Sequence, residues 1–422
     1  MNRAAVTLAA MLATALVGAA GCGNSTSRTT TDQIGGSTLR IYSSVPLYGA
    51  SAAEGQAIVN GERLALSRLH DRIGRYRVAL VSLDDATIKS SAWDPGQTTL
   101  NARTAALDPS TIGYLGDDNS GATAVSIPVL NRAGIPQVSA TSTAVGLTSG
   151  APGASPGEPQ KYYPTMVRTF ARVIPNDTVQ AVAQIRLQQS LGCTSTYVLD
   201  DGEVEGYDAA TAFQLRSPTS HLKVAGVQTF DPRATDYTSL ARAIARTSPD
   251  CVLISAAVES HAVLLTEQVA AALPSALLFG TAQLAEPSYV DPARGGISRS
   301  LDERVNLTAA PLGTRDYPPA GRAFLAASAR GFGRAASSAI FGYEAMSLML
   351  SAISRATDNG TLQVDRAAVL RELFATRARQ SVLGTYSINR DGDTTLSAFG
   401  AYGVIDGHLQ FLRTIQTRHG GR

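Results

Sequence analysis

From Thr38 to Gly280 the chain alternates between two hydrophobic rhythms. Short runs rich in β-branched and aromatic residues, TLRIYSSV (38–45), YRVALVSLDD (76–85), TIGYLG (111–116) and PQVSAT (136–141), read as strands. Between them, apolar residues recur at helical spacing, as Ile58, Leu64, Ala65 and Leu69 do within 53–69, and helices are expected near 97–107 and 122–133. Such an alternation predicts a parallel sheet covered by helices on both faces. The stretch 144–160, which contains GAPGASPGEP, is expected to be an exposed loop.

The same rhythm restarts after YYPTMVRTFARV (162–173). A helix at 177–190 precedes the strand STYVLD (195–200). A helix near 206–215, the strand LKVAGVQTF (222–230) and a helix at 236–247 follow. CVLISA (251–256), a helix at 260–272 and ALLFG (276–280) complete the set. The chain therefore holds two α/β lobes of similar plan. Beyond VNLTAA (305–310) come long helices at 318–330 and 337–355, then SINRDGDTT (387–395) and AYGVIDGHLQFLRTI (401–415), which read as a hairpin with edge strands. A chain of 422 residues is long enough for two cores.

The N-terminus differs in kind. Arg3 precedes an apolar run, AAVTLAAMLATALVGAAG, which ends in small residues immediately before Cys22. This reads as an export signal. AAG before Cys22 resembles the bacterial lipoprotein box, with Ala19 where Leu is usual, so Cys22 is the expected lipidation site; ordinary cleavage and a retained anchor are the alternatives. Net charge is only +2 and no basic run is present, so nucleic-acid binding is not expected. An exported chain meets oxidising conditions. Cys193 and Cys251, each at the start of a strand, are then either a disulfide or two buried thiols.

Ligands of open parallel sheets lie at the C-terminal strand ends. Two polar turns occupy such ends in the first lobe, GDDNSGATA (116–124) and SATSTA (139–144). The first lacks the lysine and glycine spacing of a nucleotide loop. Asn119 and Ser120, with the amides that open the following helix, can hold one carboxylate, cap the helix, or do both. Thr141, Ser142 and Thr143 add hydroxyls and amides at the neighbouring strand end. No catalytic set assembles: GxSxG and HExxH are absent, and Asp84–Asp85 and Asp200–Asp201 read as capping pairs. NRDGDTT lacks the glycine and glutamate of a calcium loop and reads as an Asp-Gly turn, so neither metal nor cofactor is expected.

IGYLGDDNSGATAVSIPVLNRAGIPQVSATSTAVGLT, YVLDDGEVEGYDAA, VQTFDPRATDYTSLARAIARTSPDCVLISA and FGYEAM together resemble the type I periplasmic solute-binding proteins of the branched-chain amino-acid transport family, the extracytoplasmic receptors of ABC importers, over about 38–415. The resemblance implies an α/β fold of two lobes joined by three hinge crossings. On that plan residues 1–21 are a signal peptide and 22–37 a flexible tether. Residues 38–167 and 309–380 form the first lobe, and 168–308 and 381–422 the second. It also implies that Ser120 and Thr143 hold a ligand carboxylate, flanked by Thr141 and Ser142. Glu205 stands where a tyrosine is common, Ala257 where an aromatic is typical, and Thr281, Ala282 and Gln283 where an acid usually meets an ammonium group. Glu205 and Gln283 complete the candidate ligand-binding set, with Glu205 a possible replacement countercharge. The expected protein is a monomeric, lipid-anchored receptor on the outer face of the cytoplasmic membrane. It binds a small carboxylate-bearing solute by hinge closure and passes it to an ABC permease. A sensor domain of the same fold is the alternative, and a lipid-anchored hydrolase a third.

Overall fold

The computed structural model describes residues 33–417 except 50, 91 and 333–337; Cys22, the signal peptide and most of the tether lie outside the described residues. All described residues fall within one compact unit.

The first lobe is built on the strands β1 (Thr38–Val45), β2 (Arg72–Ile73), β3 (Tyr76–Asp84), β4 (Thr111–Gly116), β5 (Gln137–Ser139) and β6 (Phe170–Arg172), ordered β2-β3-β1-β4-β5-β6. All neighbours run parallel except β2 and β3. Helices α1 (Ala52–Ser67), α2 (Pro95–Leu107) and α3 (Ser120–Arg132) connect them. β4 is buried along its whole length, as a strand covered on both faces must be. Caps start the helices where the sequence allows: Asp94 accepts from Gln97 N at 2.8 Å with Pro95 at the first position, and Asn119 accepts from Gly121 N at 2.7 Å.

The second lobe starts with α4 (Asp177–Ser190), capped by Asn176, and continues through β7 (Ser195–Asp200), α5 (Val204–Arg216), β8 (Lys223–Thr229), α6 (Thr238–Ala245), β9 (Cys251–Ser255), α7 (Ala262–Ala272), β10 (Leu277–Gly280), the short α8 (Pro287–Val290) and β11 (Val305–Ala309). The chain then returns to the first lobe as α9 (Pro319–Phe332), α10 (Ala339–Ala356), α11 (Arg366–Phe374) and the small ribbon of β12 (Arg379–Gln380) and β13 (Thr385–Tyr386). It ends in the second lobe with β14 (Ala398–Ile405) and β15 (His408–Gln416), joined by a turn in which Asp406 and Gly407 both have positive φ. The second sheet has the order β15-β14-β11-β10-β9-β7-β8, with only β14 and β15 antiparallel to their neighbours. Three crossings, 173–176, 310–318 and 387–397, therefore join two sheets of mostly parallel strands.

Packing between α1 and α10 requires glycine. A Cβ on Gly61 would lie 2.0 Å from Ala339 O, and one on Gly342 would lie 2.3 Å from Ile58 O. Cys193 and Cys251 are joined as a disulfide across adjacent strands, with Cα atoms 5.9 Å apart.

Several boundaries differ from expectation. Ile34 is fully buried and its N–H donates to Val364 O at 3.2 Å, so the body begins before Thr38. β6 pairs with β5, which carries the first sheet to Arg172 rather than 167. Tyr386 and Ile388 are buried, and Gly392 O accepts from Arg172 N at 2.9 Å, so 381–395 packs on the first lobe instead of the second. Residues 144–148 are buried, contrary to an exposed loop, because Ala144, Val145 and Leu147 are apolar and find core space. Asp84 and Asp200 do serve their turns: Asp84 Oδ1 accepts from Leu47 N and Ala86 N, and Asp200 Oδ1 accepts from Gly202 N.

Candidate functional site

A cavity of about 370 Å³ lies between the lobes. The C-terminal end of β1 leads to Ser51 and Glu54, that of β4 to Asp118 and Asn119, and that of β5 to Thr141 and Thr143. From the other lobe, the ends of β7, β9 and β10 lead to Glu205, Glu259, Gln283 and Glu286. Ile174, Ala310 and Pro311 come from the crossings, Phe341 from α10, and Tyr402 from β14. A parallel sheet delivers its polar turns to one edge, and here two such edges face each other.

Five of the seven ligand-binding candidates line this cavity; Ser120 lies just behind it, and Ser142 does not reach it. The Ser120 hydroxyl accepts from Thr143 N at 3.1 Å and Ala144 N at 3.2 Å, and donates to Glu205 Oε2 at 3.1 Å. The position expected to receive a ligand carboxylate is thus taken by the protein's own. The neighbouring amides are engaged as well, Thr141 N and Ser142 N both donating to Ser139 Oγ, at 3.2 and 3.0 Å. Ser142 Oγ turns inward, 2.6 Å from Thr123 Oγ1. Thr141 Oγ1 donates to Asp118 Oδ1 at 2.6 Å. Asn119 spends its side-chain oxygen on the cap. Thr143 Oγ1, buried to 1% exposure, has no partner of good hydrogen-bond geometry, although it lies near enough to ease the burial of Glu205.

The charge of the site is one-sided. Glu54, Asp118, Glu205, Glu259 and Glu286 line the cavity, and among the described lining residues there is no Lys, Arg or His. Burial, followed by the Asp177 charge, pushes the Glu205 carboxyl well above the usual range, with the Ser120 hydroxyl opposing. Burial and then the charges of Asp118 and Glu286 do the same to Glu54, and burial lifts Glu286 to about 7. Glu54 and Glu286 come from opposite lobes and lie within hydrogen-bonding reach of one another.

Behind the site, Arg172 is fully buried. Its Nε donates to Asp393 Oδ1 at 2.7 Å, and its guanidinium also donates to Ser142 O at 3.0 Å and Ala144 O at 2.8 Å. One cation thereby ties the polar turn after β5 to the third crossing.

Residues 38–404 match the profile of the family described as "Periplasmic binding protein". The chain belongs to that family. This binding protein also shares its fold with solved members of the group. The leucine-binding protein LivK of Thermotoga maritima superposes with a TM-score of 0.75 at 18% identity, covering 90% of this chain and 99% of that one. An ABC transporter substrate-binding protein of Desulfitobacterium hafniense in complex with Leu gives 0.70 at 15% identity, with 89% and 100% covered. A solute-binding protein of Rhodopseudomonas palustris in complex with p-hydroxybenzoic acid gives 0.71 at 16%, with 90% and 98% covered. No curated protein sequence matches the binding protein significantly.

Sequence reasoning missed Glu54, Asp118, Glu259, Glu286, Phe341 and Tyr402. Asp118 stands beside Asn119 and was readable as a site residue. Glu54 and Glu286 follow strand ends too, and that position was their signal.

Proposed function

We propose that this binding protein is the extracytoplasmic solute receptor of an ABC importer, held at the membrane through lipid on Cys22, that captures a small solute by closing its lobes and presents it to a permease. The observation that carries this reading is the cavity itself, lined from both lobes and from two of the three crossings, so that an occupant favours the arrangement in which the lobes meet. Its volume suits a solute of amino-acid size.

A carboxylate-bearing solute remains the class favoured by the resemblance and by the leucine and hydroxybenzoate bound to the structural neighbours. In this chain such a solute would have to displace Glu205 from Ser120.

The receptor reading is tested by purifying the mature protein from its native membrane, denaturing it and identifying released solute by mass spectrometry. Adding that solute back should compact the protein in small-angle scattering, and Cys22→Ala should release the protein from the membrane fraction. A protein that carries no solute and does not change shape with any transported compound defeats it.

A further inference from the structure

Five carboxyls around one cavity, Glu205 buried and Glu54, Asp118 and Glu286 half-buried, with no cation among the described lining residues, pose an electrostatic problem, since withdrawing ionised groups from water without a counter-charge is costly. Without a ligand the problem is relieved by protonation. A positively charged solute relieves it better, because it replaces shared protons with charge-assisted hydrogen bonds. The groups that would receive an anion point the other way. Ser120 is occupied by Glu205, and Thr141 N and Ser142 N are held by Ser139. Thr143 Oγ1, buried at the cavity wall and without a well-aligned partner, is left to accept from a donor.

We infer that the cleft receives a small organic cation bearing no carboxylate, an amine or guanidinium held between Glu54 of the first lobe and Glu286 of the second; this rests on the receptor reading above. Charge on both lobes makes the cation part of the closing mechanism. With Glu54 and Glu286 ionised the lobes repel at that point, and a cation between them turns repulsion into attraction. Asp118 and Glu259 add to the negative field on Glu286, and Asp118 and Glu205 to that on Glu54. Phe341 and Tyr402 at the cavity supply aromatic surface that an alkylammonium or guanidinium tolerates and a carboxylate does not. A bare metal ion fits worse. Among the described residues these carboxylates do not gather tightly enough to ligate one; the single group that close is Cys193, Asp250 and Cys251, where two members form the disulfide. The volume of the cavity is also far beyond what an ion fills.

The test uses the mature protein, calorimetry and thermal unfolding, with putrescine, agmatine and choline in one arm and L-leucine, benzoate and acetate in the other. At least one cation should bind and raise the unfolding temperature, and added salt should weaken it. Glu54→Gln and Glu286→Gln should each lower that affinity by about tenfold or more. Glutamine preserves shape and removes charge, and circular dichroism confirms that each variant is folded. Binding of a carboxylate with no response to any cation overturns the inference and leaves the receptor reading intact. Failure of every cation overturns it too, and the solute released from native protein then judges the receptor reading separately. Cation binding that is unchanged in both variants also overturns it.

Discussion

Ser120 Oγ of the first lobe donates to Glu205 Oε2 of the second at 3.1 Å, so a carboxyl of the protein itself occupies the place where the resemblance puts that of a ligand. If Glu205 fills the seat, emptying it should restore the seat's chemistry. Glu205→Ala frees the Ser120 hydroxyl beside Thr143 Oγ1, and the variant is expected to gain measurable affinity for acetate or benzoate. Glu205→Gln keeps an acceptor on Ser120 and should gain none. Calorimetry of the two variants decides; identical behaviour would show that Glu205 does not control the seat.

Buried acids make the ligand-free protein sensitive to alkali. Burial raises Asp117 and Asp177 to about 7 and Glu62 and Asp208 to about 8. Their folded values lie above the unfolded ones, so the folded state holds more protons between the two. Stability from these groups is therefore greatest below the unfolded range and falls as pH rises from about 4 to about 8. The unfolding temperature is expected to be lower at about pH 8 than at about pH 5.5. A flat or rising profile across that window would contradict the assignment of these carboxyls as buried and protonated.

Arg172 and Asp393 form a pair that cannot lose one member cheaply. The guanidinium is fully buried, and Asp393 holds it at 2.7 Å. Asp393→Leu or Arg172→Met leaves an uncompensated charge or unsatisfied carbonyls, at an expected loss of about 3–5 kcal/mol in chemical denaturation. Asp393→Asn, which keeps an acceptor, should cost less. Equal losses from Asn and Leu would argue that charge is not what matters there.

The disulfide closes a loop across 58 positions. Replacing both Cys193 and Cys251 by alanine should lower stability by about 2–4 kcal/mol. With Cys22 replaced by serine, thiol titration of the unfolded, unreduced chain should find none. Two titratable thiols would contradict the bridge.

The α/β plan was legible because a strand buried on both faces, such as CVLIS, is a continuous apolar run, and because capping residues mark helix starts. β6 was not assigned to the first sheet, since three residues after a long loop carry no signal of their partner. Asn119, Ser120, Thr141 and Thr143 were readable from strand ends. The inward turn of Ser142 was not, because an irregular loop has no fixed alternation of side-chain direction. The acidic character of the cleft was equally hidden. Glu54 and Glu286 stand far apart in the chain, and only the facing of two sheets brings them together.

Both lobes are assembled from separated pieces of chain, the first needing residues up to about 395 and the second needing β14 and β15 beside β11. A ribosome must therefore finish nearly the whole polypeptide before either half has all of its parts. Folding of either half during synthesis is thereby held back by the order in which the pieces appear.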